Sequence, residues 1–302
     1  MMIDLHCHLL PGVDDGSRTM EDALELARAA VANGIHTSVL TPHIYPGVFD
    51  NQRSSLLPVF AEYRQALWEA GIPLDVRLGG EVHLHPDVFD MFARGELPMI
   101  GGLNGKKMML LEFPDGAIPH GSDVACRMFA DQGVHWLIAH PERNKAVMRN
   151  PDIIKPFVDM GCMLQLTAAS VVGAFGRSAG QTAHTLLTRG LAHVVASDAH
   201  NLAHRPPRMG KARRYLSIRG KDENLFRIQV EFEIFYKVYS ICLAVFKDFL
   251  QPIKPHFDAF FFLVAVFILK MGCITFFGDF VHTFAAYLHL YPFAFWTHYS
   301  NM

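Results

Sequence analysis

Along residues 2–216, short apolar runs alternate with stretches in which apolar side chains recur every three or four positions, and most of those stretches stop at a glycine. The first run, 2–5, leads into a loop bounded by Gly12 and Gly16. Thr19 with Asp22 then reads as a capping box, and Ala23, Leu24, Ala27, Ala30 and Val31 recur at helical spacing until Asn33-Gly34 stops them. The same reading predicts strands at 36–41, 75–78, 107–111, 135–139, 162–166 and 191–196. Helices are predicted at about 53–69, 86–94, 122–131, 151–160 and 180–188, with a last one starting near Pro206. Seven strand–helix units of this size predict an α/β barrel, because strands covered on both faces read as near-continuous apolar runs.

The ionisable residues fall in register with that pattern. His6, His8, His43, Glu81, Glu112, His140, Asp198 and His200 all stand at or just past the C-terminal end of a predicted strand, where barrels of parallel strands build their active sites. His6 and His8 are two apart on an extended segment and share a side, and Asp14 and Asp15 follow in the glycine-bounded loop. Imidazole mixed with carboxylate suits Mn, Fe or Zn better than Ca or Mg. Each residue alone has an ordinary explanation: His140 as a helix cap, Glu81 as a partner of a lysine, Asp198 as an N-cap. Together they predict a metal cluster at one mouth. His36, His83, His85, His120, His135, His184 and His193 fall at strand starts, in helices or in loops and are assigned structural roles. Cys7 alternates to the face opposite His6 and His8, and the cations Arg208, Lys211, Arg213 and Arg214 are read as a solvated helix face.

Charge and cysteine content narrow the chemistry. A formal charge of -2 over 302 residues gives no basic footprint for nucleic acid. The 5 cysteines form no C-x-x-C pair and no framework spacing, so neither a zinc ribbon nor a disulfide scaffold is expected, and the barrel is expected to be cytoplasmic. No cysteine has an arginine six residues on, which removes the thiolate phosphatase loop. The chain opens directly on a strand, so no secretory leader is expected.

As a set, His6-Cys7-His8 with Asp14-Asp15-Gly16, Thr41-Pro42-His43, Gly80-Glu81, Leu111-Glu112, His140-Pro141-Glu142-Arg143 and Ser197-Asp198-Ala199-His200 with Arg205 resemble the PHP (polymerase and histidinol phosphatase) superfamily. Within it the chain is most similar to bacterial metal-dependent protein-tyrosine phosphatases that act on the tyrosine autokinases of capsule and exopolysaccharide synthesis. The resemblance spans residues 2–216. It implies the PHP fold, a distorted (β/α)7 TIM-like barrel, with three divalent metal ions, usually Mn2+, with Fe or Zn as alternatives. By position, His6, His8, Glu81 and Asp198 would hold one ion; Glu81, Glu112 and His140 a second; Asp15, His43 and His200 the third. Asp14 competes with Asp15 for that place, and Asp15 is preferred because it precedes Gly16. Arg143 and Arg205 match the family's phosphate-binding arginines, and His200 would serve as proton donor only where it is not a ligand. Divalent metals and two guanidinium forks suit a phosphomonoester dianion, and a metal-activated water removes the need for a covalent intermediate. The implied substrate is a phosphotyrosine protein, a membrane-bound kinase. Competing readings are a histidinol-phosphate-like small molecule, the phosphodiesters of the superfamily's nucleases, and a catalytically impaired metal-binding or membrane-docking protein. Family members also raise homo-oligomerisation as an expectation.

Beyond residue 216 the resemblance fails and composition shifts. Residues 217–302 hold 16 of the chain's 24 phenylalanines but 3 of its 23 glycines, which sets them apart from the barrel at 1–216. The apolar stretch 259–277 is long enough to span a bilayer. Lys270 there costs about 3 kcal/mol of insertion, against about 5 kcal/mol returned by the apolar side chains. Residues 280–296 are a weaker candidate, and 230–250 reads as an interfacial helix. Three readings compete: a membrane anchor involving 257–296, extra helices packed on the barrel, or a frameshift or fusion product, which the abruptness of the change favours.

Overall fold

The apolar runs fold as strands because each is covered on both faces, by the barrel interior on one side and by helices on the other. The computed structural model describes residues 2–103 and 105–220. In order these form β1 (Met2–Cys7), α1 (Met20–Ala32), β2 (Ile35–Leu40), β3 (His43–Ile44), α2 (Arg53–Glu69), β4 (Asp75–Leu78), β5 (Glu81–His83), α3 (Asp87–Ala93), β6 (Gly101–Leu103) and β7 (Lys106–Glu112). There follow α4 (Ser122–Asp131), β8 (Val134–Ala139), α5 (Lys145–Arg149), α6 (Lys155–Asp159), β9 (Met163–Thr167), α7 (Ala168–Val171), α8 (Arg177–Thr188), β10 (Val194–Ala196) and α9 (Met209–Ser217), with 3-10 turns at Pro141–Arg143 and Pro151–Ile154.

Pairing is parallel throughout except for β6, which runs antiparallel to β7. One sheet has the order β1-β2-β4 and the other β10-β9-β8-β7-β5-β3. Only Thr41-Pro42 separates β2 from β3, and only Gly79-Gly80 separates β4 from β5, so each pair continues one predicted strand across a bend. The last strand returns to the first through a parallel bridge between Cys7 and Ala199. His8 N–H donates to Ala199 O at 2.9 Å and Asp198 N–H to His6 O at 2.8 Å. Buried Asp4 reinforces this seam by accepting Ser197 N–H at 2.8 Å and the Ser197 hydroxyl. Seven parallel strand positions result, with β2/β3 and β4/β5 counted once each and the antiparallel β6 left aside, as the pattern predicts.

Alternation within the strands sorts the core into two parts. Ile3, Leu5, Val39, Met108, Leu110, Leu137, Ala139 and Val194 fill the interior. Their neighbours Met109, Leu111, Trp136, Ile138, Leu164, Leu166 and Val195 face the helices together with Cys7. At α1 the Thr19 side chain accepts Asp22 N–H at 3.1 Å, the cap read from the sequence.

Some elements differ from the sequence reading. The predicted helix 151–160 is a 3-10 turn followed by the short α6, because Pro151 and Pro156 offer no N–H. The last helix starts at Met209 rather than near Pro206 for the same reason, with Pro206-Pro207 in front of it. Helix α8 begins three residues before the predicted 180, after Gly176 in a positive-φ conformation. Of the tail at 217–302, residues 221–302 lie outside the described residues, as do the apolar span 259–277, the candidate 280–296 and the interfacial helix 230–250. Among the described residues no helix is long and apolar enough to cross a membrane.

Candidate metal centre

The strand ends deliver their polar residues to one place. His6 stands one residue before the end of β1 and His8 just past it, His43 opens β3, Glu81 opens β5 and Glu112 ends β7; His140 follows β8, and Asp198 and His200 follow β10. His140 and Asp198 have φ of 31° and 51°, the only positive values outside glycine among the described residues. Such backbone costs about 1–3 kcal/mol and persists where the surroundings demand it. Here it turns both side chains back over the strand ends.

Three groups of contacts form at the mouth. His6 Nε2 lies 3.3 Å from Glu81 Oε2 and 3.4 Å from Asp198 Oδ1, and His8 Nε2 lies 3.3 Å and 3.6 Å from the same two oxygens. His140 Nε2 is 2.8 Å from Glu81 Oε1 and 3.7 Å from Glu112 Oε1. Asp15 Oδ1 is 3.4 Å from His43 Nε2 and 3.3 Å from His200 Nε2. Glu81 joins the groups, since its Oε2 also lies 3.1 Å from His43 Nδ1. All nine residues named as ligands from the sequence therefore meet, in sets whose donor atoms lie within 4.8 Å of one another.

The donor set fits divalent cations on an observation of its own. Glu81 Oε2, Asp198 Oδ1, His43 Nδ1 and His200 Nε2 are buried and lack hydrogen-bond partners among the described residues. Buried polar atoms are normally satisfied, and these four converge instead on shared space. Burial works against charge on Glu81 and Asp198. The histidines, and at Asp198 also Arg205 and Arg143, nevertheless hold both carboxyls well below the usual carboxylate range. Burial and the neighbouring His8 push His200 down to about 4, which leaves its imidazole neutral with a free lone pair.

The adjacent aspartates differ in their contacts. Asp14 spends its oxygens locally: Oδ2 takes His8 Nδ1 at 2.7 Å and His43 N–H at 3.0 Å, and Oδ1 takes Gly16 N–H at 3.0 Å. It orients His8, whereas Asp15, half exposed, points its carboxylate at the two histidines. Gly16 is needed not for a left-handed turn but for close approach, because a Cβ there would meet His8 O at 2.2 Å.

Arg143 and Arg205 both donate to Asp198 Oδ2, the latter at 2.6 Å. Both guanidiniums also lie over the Phe175 ring, at 4.7 Å and 5.8 Å from its centroid. Asp198 is thus shared, with Oδ1 toward the histidines and Oδ2 toward the arginines.

Several contributors are absent from the sequence reading. Gln165 Oε1 sits 2.8 Å from His6 Nδ1 and so fixes the proton there, leaving Nε2 to the cluster. Its signal was a lone amide inside the apolar β9 at an inward position. His83, assigned a structural role, instead lies at the mouth, 3.4 Å from Glu112 Oε2 and stacked on Tyr45 at 3.9 Å. Two residues past Glu81 on a strand, it shared that residue's face. Asn144 accepts Ala146 and Val147 N–H and donates to Pro114 O and Ala117 O, which anchors the turn carrying Arg143.

Residues 2–232 match the family described as capsular polysaccharide synthesis, CpsB/CapC. The tyrosine-protein phosphatase YwqE of Bacillus subtilis is 37% identical over 204 residues, 67% of this chain and 78% of the relative. The tyrosine-protein phosphatase CpsB of Streptococcus pneumoniae is 30% identical over 216 residues, 70% of this chain and 88% of the relative. A crystal structure from work on those two proteins, described as unique metal-dependent tyrosine phosphatases, superposes with a TM-score of 0.72 at 33% identity. It covers 78% of this chain and 94% of the solved one.

Proposed function

The chain belongs to the CpsB/CapC family of capsular polysaccharide synthesis, and we propose that it is a metal-dependent phosphatase hydrolysing phosphotyrosine on a protein. The observation that carries this reading is the convergence of nine ligand-type side chains, four with unpartnered buried atoms, beside two guanidiniums.

In this reading His6, His8, Glu81 and Asp198 hold one divalent ion; Glu81, Glu112 and His140 a second; and Asp15, His43 and His200 a third. Manganese fits the imidazole–carboxylate mixture, with Fe or Zn as alternatives. Bound metal supplies Lewis acidity toward the phosphoryl oxygens and a nucleophilic water at neutral pH. The chain's own residues do the rest. Arg143 and Arg205 leave Asp198 Oδ2 to fork the phosphoryl oxygens, and Phe175 keeps their planes converging as they do so. His200 serves as a ligand rather than a proton donor, since its Nε2 faces Asp15. No thiol competes as nucleophile among the described residues, where Cys7, Cys126 and Cys162 are all buried away from the mouth. Tyrosine phenol, with a pKa of about 10, leaves without a strong acid.

The physiological substrate under this proposal is a membrane-bound tyrosine autokinase of capsule or exopolysaccharide synthesis. Residues 1–216 form the catalytic body, and 217–302 are an appended segment. The test uses the manganese-loaded full chain with a phosphotyrosine peptide, and histidinol phosphate for comparison. Arg143→Ala is expected to lower peptide turnover about 100-fold with metal content unchanged. Metal-loaded protein that leaves the peptide intact, or an Arg143→Ala variant at full rate, would overturn the reading.

A further inference from the structure

Beside the site runs a cleft of about 450 Å³, lined on one side by Lys145, Met148 and Arg149 and on the other by Ser178, Gln181 and Thr185. Both walls spring from the site itself. Helix α5 starts two residues after Arg143, and α8 starts two residues after Phe175, the ring beneath both guanidiniums. The two helices pack on each other, and α8 also packs on the turn carrying Arg143.

The cleft's charge is one-sided. Lys145 and Arg149 stand four apart on α5, both exposed, and among the described residues neither pairs with a carboxylate. The nearby Asp152 is occupied by Arg189. No lining residue is acidic, on a chain whose formal charge is -2. The remaining polar lining groups are three hydroxyls and an amide, and two of the hydroxyls are already engaged, Thr182 donating to Ser178 O and Thr185 to Gln181 O.

Resting on the phosphatase reading, we propose that this α5–α8 cleft is a docking surface for an acidic segment flanking the phosphotyrosine of the protein substrate, which Lys145 and Arg149 select. A segment that leaves the mouth past Arg143 and Phe175 would meet the starts of α5 and α8, the helices that wall the cleft. Attraction to two exposed cations lowers KM and leaves the chemical step alone.

The experiment compares two phosphotyrosine peptides of equal length, one with acidic residues on both sides of the tyrosine and one with serines there. p-Nitrophenyl phosphate, which cannot reach the cleft, serves as the control substrate. The manganese-loaded full chain is expected to favour the acidic peptide through KM, with the preference shrinking as salt rises from 50 to 300 mM. The double variant Lys145→Glu/Arg149→Glu is expected to raise KM for the acidic peptide by about five- to twentyfold, leaving kcat and p-nitrophenyl phosphate turnover unchanged. Equal KM for the two peptides in the wild type, or an equal loss on all three substrates in the variant, would overturn the docking surface. Inactivity on every aryl phosphate would instead defeat the phosphatase reading. Docking is then decided by fluorescence anisotropy with a non-hydrolysable phosphonate version of the acidic peptide, where loss of binding in the double variant supports it and unchanged binding refutes it.

Discussion

Replacing Gly16 by alanine tests whether the Asp14-Asp15 loop is held against His8 as described. The added Cβ would lie 2.2 Å from His8 O, 2.6 Å from His8 Cβ and 3.0 Å from Asp14 Oδ1. Carbon contacts settle near 3.5 Å, so loop and strand must part by about 1 Å. That parting breaks Gly16 N–H to Asp14 Oδ1 and Ser17 N–H to His8 O, now 3.0 Å and 3.2 Å, at about 1 kcal/mol each. Overpacking adds about 1–3 kcal/mol, and the stiffer unfolded chain returns about 0.4–1 kcal/mol. A loss of about 2–5 kcal/mol in stability follows. More telling is metal binding: His8 loses the carboxylate that orients it, and Asp15 no longer faces His43 and His200, so affinity should fall about 10–100-fold. Equilibrium dialysis with elemental analysis reads the affinity, and denaturant unfolding reads the stability. Gly12→Ala is the control. At φ 71° it is strained by about 1–2 kcal/mol, yet its Cβ meets nothing nearer than Arg18 O at 3.6 Å, so metal affinity should hold. A Gly16→Ala variant binding metal as tightly as the wild type would refute the reasoning.

Two further outcomes are expected. Gln165→Leu removes the acceptor of His6 Nδ1–H and frees the ring to flip; metal affinity should drop about 10–100-fold while helix content by circular dichroism stays put, and unchanged affinity would mean that His6 needs no such partner. Asn144→Ala deletes a cap of two N–H groups and two bonds to loop carbonyls, so unfolding free energy should fall by about 2–4 kcal/mol; a loss under 0.5 kcal/mol would show that the anchor is unimportant.

How far the sequence could be read follows from what each signal depends on. The strand ends and the polar side chains that gather at the mouth were legible because barrel strands are apolar runs and a polar residue past each run interrupts them, as His43, Glu112 and His140 do. The short β3 and β5 were not, since two- and three-residue strands carry no period, and only the partner strand shows that β2 and β4 continue past their bends. Asp14 and Asp15 could not be told apart by spacing, because the distinction lies in which neighbour takes the oxygen. His83 was set aside because the stretch between Glu81 and Pro86 was read as a loop, whereas β5 runs through Glu81–His83 and puts the two residues on one face. Asn144 escaped because an uncharged amide in a loop carries no signature, and Gln165 because a lone amide in an apolar run does not say which group it will bond.

The seam between the first strand and the last has a consequence for how the protein reaches its working state. Asp4 meets Ser197, and Cys7 meets Ala199, across nearly the whole described chain, and His6, His8, Asp198 and His200 stand on that seam. Such pairings close the longest loops in the fold, the kind of contact that slows folding. A nascent chain that has not yet released residue 200 holds only part of the cluster proposed to bind metal. Competence for metal therefore arises late, as a property of the closed ring, and metal drawn into the finished centre would act as a clasp across the join that is slowest to form.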